Sequence, residues 1–242
     1  MALLRRSLTA LRAVFNTVFV VVWTIGMVTG VAVLAALARD RQVFVRAQRT
    51  WARGLVWGCG ATFRVCGADA LDPSAAYVLV VNHESPCDIV ALFAALPAMP
   101  AFVAKRELLR VPFVAAALRL GGHVLVSRGQ RGQAHEALQE AGRCLASGRS
   151  VVFFPEGTRG DGVTLLPFKS GGFRLAKDAR ASVLPIGLRG TASILGKGNP
   201  LVWPGTVEVH VGTPIPAAEV EARDAGELAE ITRTAVTRLL GR

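Results

Sequence analysis

The chain has 242 residues, with 28 Lys and Arg against 17 Asp and Glu, a net charge of +11, 52% apolar side chains and a mean hydropathy of +0.42. That length suits one α/β core of roughly 200 residues plus an appendage, and the composition is too apolar for a protein wholly surrounded by water. The charge points to an anionic partner: nucleic acid, a membrane surface or a phosphorylated substrate. Residues 1–60 carry eight Arg (5, 6, 12, 39, 41, 46, 49, 53) and one acid, Asp40. The most basic stretch is therefore also the most apolar, which favours membrane over nucleic acid, and the chain shows no nucleic-acid-binding motif. Cys59, Cys66, Cys87 and Cys144 have neither CxxC spacing nor paired His, so no zinc site and no disulfide framework is expected, only reduced thiols.

Residues 13–38 contain no charged side chain. As a helix this run is roughly 39 Å long, against a hydrocarbon core of about 30 Å. It is too long for the apolar region of a signal peptide and ends in a poor cleavage site, so it reads as a retained anchor. Positive charge on both flanks leaves two topologies open. The helix spans the bilayer with its C-terminal side cytoplasmic, or it dips into one leaflet with a bend at Gly26 or Gly30. In both, the protein is membrane-associated with its following domain facing the cytoplasm. Residues 41–59 predict a second helix, with Phe44, Ala47, Trp51 and Leu55 on one face and Arg46, Arg49 and Arg53 on another. A basic amphipathic helix with Trp at its boundary suits a lipid interface.

From residue 61 the chain reads as alternating strands (62–66, 76–81, 101–104, 122–126, 151–154, 183–187, 206–211) and helices (86–95, 112–119, 130–147, 170–179, 219–240). The expected fold is α/β: a mixed, largely parallel sheet flanked by helices, preceded by an N-terminal membrane-associated helical pair over 1–60. In such sheets sites gather where strands end.

Four strand ends carry chemistry. After the first central strand comes Asn82-His83-Glu84-Ser85-Pro86-Cys87-Asp88. Ser85, Pro86 and Asp88 have the spacing of an N-cap, N1 and N3, which explains Asp88 as helix chemistry. His83 has no such explanation. One helical turn from Asp88, it can have one ring nitrogen fixed by the carboxylate and the other left as a base. The second cluster is Phe154-Pro155-Glu156-Gly157-Thr158-Arg159. Arg159 offers a planar fork for phosphate, Glu156 could accept from a substrate hydroxyl, and Lys169 and Ser170 stand at the next helix start. A solvated Glu–Arg turn pair would look the same. Lys105 and Arg128 end two further strands and are candidates for a phosphate or an oxyanion. Pro185 interrupts a strand pattern, which predicts an edge or a bulge. Cys87 reads as a small helix residue rather than a nucleophile.

Asn82-His83-x4-Asp88, Lys105-x-Glu107-Leu108-x3-Pro112, Phe154-Pro155-Glu156-Gly157-Thr158-Arg159 and Leu184-Pro185-Ile186 occur in that order. Together they resemble the glycerolipid acyltransferase family, most of all its lysophosphatidic acid acyltransferases, over about residues 60–215. The resemblance implies that His83 is a general base oriented by Asp88. It also implies that Lys105, Arg128, Glu156, Gly157 and Arg159, with Phe154 and Thr158 of the same block, handle the glycerol phosphate. Ser127 departs from the pattern, which often has an acidic residue before Arg128. The implied reaction moves a fatty acyl group from a coenzyme A or acyl carrier protein thioester to lysophosphatidic acid, with no metal and no other cofactor. Competing readings are a different acceptor (glycerol 3-phosphate, a lyso-ornithine lipid, another lysophospholipid), a metal-dependent phosphohydrolase, and a non-catalytic binder of anionic lipids.

Overall fold

The computed structural model describes residues 2–38, 40, 42–126 and 131–242. Arg128 lies outside them. In chain order the elements are α1 (Ala2–Ala38), α2 (Gln42–Gly58), β1 (Thr62–Cys66), β2 (Tyr77–Val81), α3 (Cys87–Ala95), β3 (Ala101–Lys105), α4 (Pro112–Leu120), β4 (Val124–Val126), α5 (Arg131–Ala146), β5 (Val151–Phe153), α6 (Gly171–Asp178), β6 (Ser182–Arg189), α7 (Thr191–Ile194), β7 (Thr206–Val211), α8 (Ala217–Ala222) and α9 (Ala225–Leu239). The sheet order is β1-β7-β6-β2-β5-β3-β4. All adjacent pairs are parallel except β6 with β7. The expected mixed, largely parallel α/β sheet is what forms.

The period-2 alternation of β2 sorts its side chains onto two faces. Val78 and Val80 join Phe173 of α6, Val220 of α8 and Leu228 and Val236 of α9. Leu79 and Val81 join Ala52 of α2, Leu92 and Phe93 of α3, and Ile194 of α7. The result is a sheet sandwiched between helical layers, with the N-terminal pair closing one of them.

Three sequence expectations change. Residues 219–240 do not form one helix: α8 ends at Ala222 and Asp224 starts α9, its Oδ1 accepting from the amides of Gly226 (2.7 Å) and Glu227 (2.9 Å). That N-cap outcompetes a continuous helix. Pro185 is not on an edge, because β6 lies between β7 and β2. Its missing N–H falls where the β6–β7 ladder is interrupted, between Ile186↔Val211 and the bridge Val183↔Ile215. The chain does bulge there, and the Pro185 carbonyl is taken by the Gly212 amide at 2.9 Å.

The third change concerns the N-terminal pair. α1 runs unbroken through Gly26 and Gly30, so the reversal comes after Ala38. Asn16 Nδ2 donates to the Cys59 carbonyl (3.3 Å), Trp23 Nε1 to the Trp51 carbonyl (3.0 Å) and Trp51 Nε1 to Thr24 Oγ1 (3.1 Å). As α1 advances its partners on α2 recede, so the two form an antiparallel hairpin. The Val202 amide donates to Thr17 Oγ1 at 2.9 Å, which fastens α1 to the sheet domain as well. Arg49 does not share an open basic face with Arg46 and Arg53. It donates to the carbonyls of Leu96 (2.7 Å) and Pro97 at the end of α3, where a cation is favoured. Arg46, Arg53 and Trp57 stay exposed on α2, as do Leu11, Phe15, Val18, Val22, Ile25, Leu34 and Leu37 on α1.

Candidate active site

β2, β5, β3 and β4 are consecutive parallel neighbours, so their C-terminal ends lie side by side along one edge of the sheet. His83 follows β2, the Phe154–Arg159 turn follows β5, and Lys105 closes β3. Topology alone thus brings together motifs more than seventy residues apart.

His83 is held from every side. Its Nδ1 lies 2.7 Å from Asp88 Oδ2. Asp88 is fully buried, and the same oxygen accepts the amides of Glu84 (2.8 Å) and Ser85 (3.0 Å). Two amides already donate to Oδ2, so the Nδ1 contact is that of an N–H donor, and in the neutral ring this leaves the lone pair on Nε2. Ser85 Oγ accepts the Cys87 amide at 3.0 Å. The Asp88 amide goes to the Ser85 carbonyl (3.1 Å) rather than to its hydroxyl, so only the Asp88 half of the expected capping box forms, and α3 starts at Cys87. Asp88 serves as helix cap and imidazole partner at once. Phe154 stacks on the imidazole, with centroids 4.1 Å apart and planes at 22°. The His83 side chain is 22% exposed, and no described residue occupies Nε2.

Glu156 is buried, and both its oxygens are occupied. Oε1 accepts the His83 amide at 2.8 Å and Oε2 the Leu166 amide at 3.1 Å. The Gly160 amide donates back to the His83 carbonyl at 2.7 Å. Both main-chain polar groups of His83 are thus satisfied by the second motif. Burial raises the Glu156 carboxyl above the usual range, and its backbone donors oppose that. A substrate hydroxyl would have to compete with two amides for this group.

Gly157 sits at φ +69°, and a Cβ built there would meet the Lys169 ammonium at 2.6 Å, so the Lys169 chain crosses directly over it. Thr158 is exposed and Arg159 partly so. Lys105, Arg159 and Lys169 have no anionic partner among the described residues. The Cys87 thiol is pushed up to about 11, chiefly by burial, which leaves it protonated at neutral pH. Among the described residues no three His, Cys, Asp or Glu side chains converge as metal ligands. Sequence reasoning missed the work of Asn82. Its Oδ1 accepts the Leu188 amide (2.7 Å) and its Nδ2 donates to the Leu188 carbonyl (2.9 Å), locking the His83 turn to β6. A buried Asn at a strand end is the one signal of this in the sequence.

An imidazole–carboxylate pair at the parallel edge of an α/β sheet, joined to a Glu-Gly-Thr-Arg turn, matches the Acyltransferase family model over residues 62–189, and the chain belongs to that family. It is 33% identical over 175 residues to the bovine 1-acyl-sn-glycerol-3-phosphate acyltransferase alpha, covering 72% of this chain and 61% of that protein. It is 29% identical over 160 residues to the 1-acyl-sn-glycerol-3-phosphate acyltransferase of Saccharomyces cerevisiae, covering 65% and 53%. The matched region thus spans about three fifths of the bovine relative's length. Among solved structures it resembles the 1-acyl-sn-glycerophosphate (LPA) acyltransferase PlsC of Thermotoga maritima, with a TM-score of 0.85, 25% identity and coverage of 98% and 96%.

Proposed function

We propose that the protein transfers a fatty acyl group from an acyl thioester to the sn-2 hydroxyl of 1-acylglycerol 3-phosphate, giving phosphatidic acid. The observation that carries this reading is His83, its Nδ1 bound to buried Asp88 and its Nε2 without a described partner, at the sheet edge where Lys105 and the Arg159 turn also lie. Nε2 takes the acceptor's hydroxyl proton as that oxygen attacks the thioester carbonyl, and Asp88 stabilises the imidazolium. General-base help of this kind is worth about 10²–10⁴-fold. The ester C–O bond forms, the C–S bond breaks, and the imidazolium returns its proton to the thiolate. The Gly157 amide is spent on the Phe154 carbonyl at 3.1 Å. The amides of Thr158 and Arg159 and the Lys105 ammonium remain as donors for the oxyanion. Arg159 and Lys169, with Lys105, suit the acceptor's phosphate.

The hairpin suits the same substrates. The exposed apolar stripe of α1 and the Arg46–Arg53–Trp57 face of α2 favour burial in one leaflet, with the α/β domain on the cytoplasmic side. An independent span would have to break the polar ties from α1 to α2 and Val202. The test is an acceptor panel. Purified protein receives labelled acyl-CoA or acyl carrier protein with lysophosphatidic acid, glycerol 3-phosphate and other lyso-lipids, and products are read by mass spectrometry. Phosphatidic acid is the expected product; no transfer to any phosphate-bearing acceptor refutes the reading.

A further inference from the structure

One buried carboxyl beside the catalytic turn has no place in the chemistry above. Glu84 follows His83 directly, and its side chain is 6% exposed. Its Oε1 accepts from Asn82 Nδ2 at 3.1 Å. The groups facing it come from several elements. Asp88 lies on α3 and Glu156 follows β5, and both are like charges that disfavour its ionisation. Among the described residues, Arg242, beyond α9, is the one cation that reaches it, 3.7 Å from Oε1. The same guanidinium donates to the Gly162 carbonyl. Gly162 lies over the carboxyl: at φ +79°, a Cβ built there would fall 3.5 Å from Glu84 Oε2 and 3.1 Å from the Ala192 Cβ. Two residues earlier, the Gly160 amide holds the His83 carbonyl. Arg242 therefore bridges the catalytic turn and the loop folded over it. Burial raises Glu84 to about 7, with Asp88 adding to the rise and Arg242 opposing it.

We propose that Arg242 is a positioning residue of the active site, acting through Glu84: it supplies the countercharge that favours the ionised form of this buried carboxyl while holding the 160–164 loop against the His83 turn. An ionised Glu84 adds negative potential beside Asp88, which favours the imidazolium formed on His83 during transfer. Without Arg242 the carboxyl takes up a proton and that support is lost. The catalytic half of the proposal rests on His83 being the base; the ionic half does not.

The test has two arms on the full chain in detergent. Carbon-13 NMR of protein labelled at the glutamate δ-carbon, with Glu84 assigned through Glu84→Gln, reads its titration directly. Arg242→Met is expected to raise the Glu84 midpoint by about one pH unit, and Arg242→Lys to restore most of it. Equal midpoints in wild type and Arg242→Met overturn the ion pair. In the second arm the acidic limb of kcat/KM against pH, where His83 gains its proton, moves down in Arg242→Met and has no further shift when Glu84 is already Gln. No shift, or an equal shift in both backgrounds, overturns the positioning role. If His83→Ala retains transfer, the general-base reading falls while the carbon-13 result still decides the Glu84–Arg242 pair.

Discussion

Glu156→Gln separates two roles for the second motif. The carboxylate accepts one backbone amide on each oxygen, His83 N–H at 2.8 Å and Leu166 N–H at 3.1 Å, in a buried position. Glutamine has the same shape but one acceptor oxygen, so its NH2 must face one of those two N–H groups. The change removes a charge-assisted bond, worth about 1.5–3 kcal/mol, and leaves a buried donor unmet, at about 1–3 kcal/mol. A net loss of about 3 kcal/mol corresponds to a fall in Tm of roughly 6–12 °C for a chain of this size. Where the amide faces His83, the imidazole loses a main-chain anchor, and a displacement of about 1 Å at a reacting group costs about 10²-fold. The measurements are thermal unfolding in detergent at pH 8 and steady-state kinetics with lysophosphatidic acid. The expected pattern is lower Tm and lower kcat with acceptor KM little changed. An unaltered Tm with a raised acceptor KM would refute this reasoning and return Glu156 to the substrate hydroxyl.

His83→Ala should lower kcat about 10²–10⁴-fold, with Tm close to wild type because Asp88 keeps its two amide donors; circular dichroism and product mass spectrometry check both halves. Cys87→Ser should retain transfer within a fewfold, since burial keeps that thiol protonated; loss of activity with the fold intact would restore a nucleophile at position 87. Glu84 is raised from 4.5 to about 7, so its contribution favours folding below about pH 4.5 and is lost as pH rises through about 7. Glu84→Gln should flatten the fall in Tm across that window and stabilise the protein at pH 8 by up to about 3 kcal/mol, read from paired melts at pH 5 and pH 8.

The sheet was legible because its strands are short apolar runs bounded by turn residues, and β1 and β7 fall where the pattern puts them. The His83–Asp88 pair was legible because both residues lie within one turn and a capping pattern fixes their geometry. Glu156 was legible as important but not in its contacts. Its partner is an amide 73 residues away, and a backbone donor leaves no trace in residue identity. The same holds for Asn82 with Leu188, separated by 106 residues. The break at Asp224 was readable, since Asp224-x-x-Glu227 is itself a capping pattern. There the apolar period of a long helix masked the stop signal.

The N-terminal helix shows how tertiary ties decide what composition leaves open. Twenty-six uncharged residues satisfy a spanning helix and a re-entrant one equally, and Gly26 and Gly30 offered a place to bend. What fixes α1 against the rest of the fold is a handful of polar side chains that an apolar reading discounts. Asn16, Thr17, Trp23 and Thr24 each find a partner on α2 or beside the sheet. In hydrocarbon such groups would be costly without partners. Here they face the protein, while Leu11, Phe15, Val18 and Val22 face away from it. Asn16, Thr17, Trp23 and Thr24 therefore mark the protein-facing side of α1, and the two glycines, with open space where a Cβ would stand, carry no bend. An alanine at Gly26 or Gly30 would meet open space and break no contact within the protein. A leucine at Asn16 would instead remove the tie that keeps the first turns of α1 against Cys59.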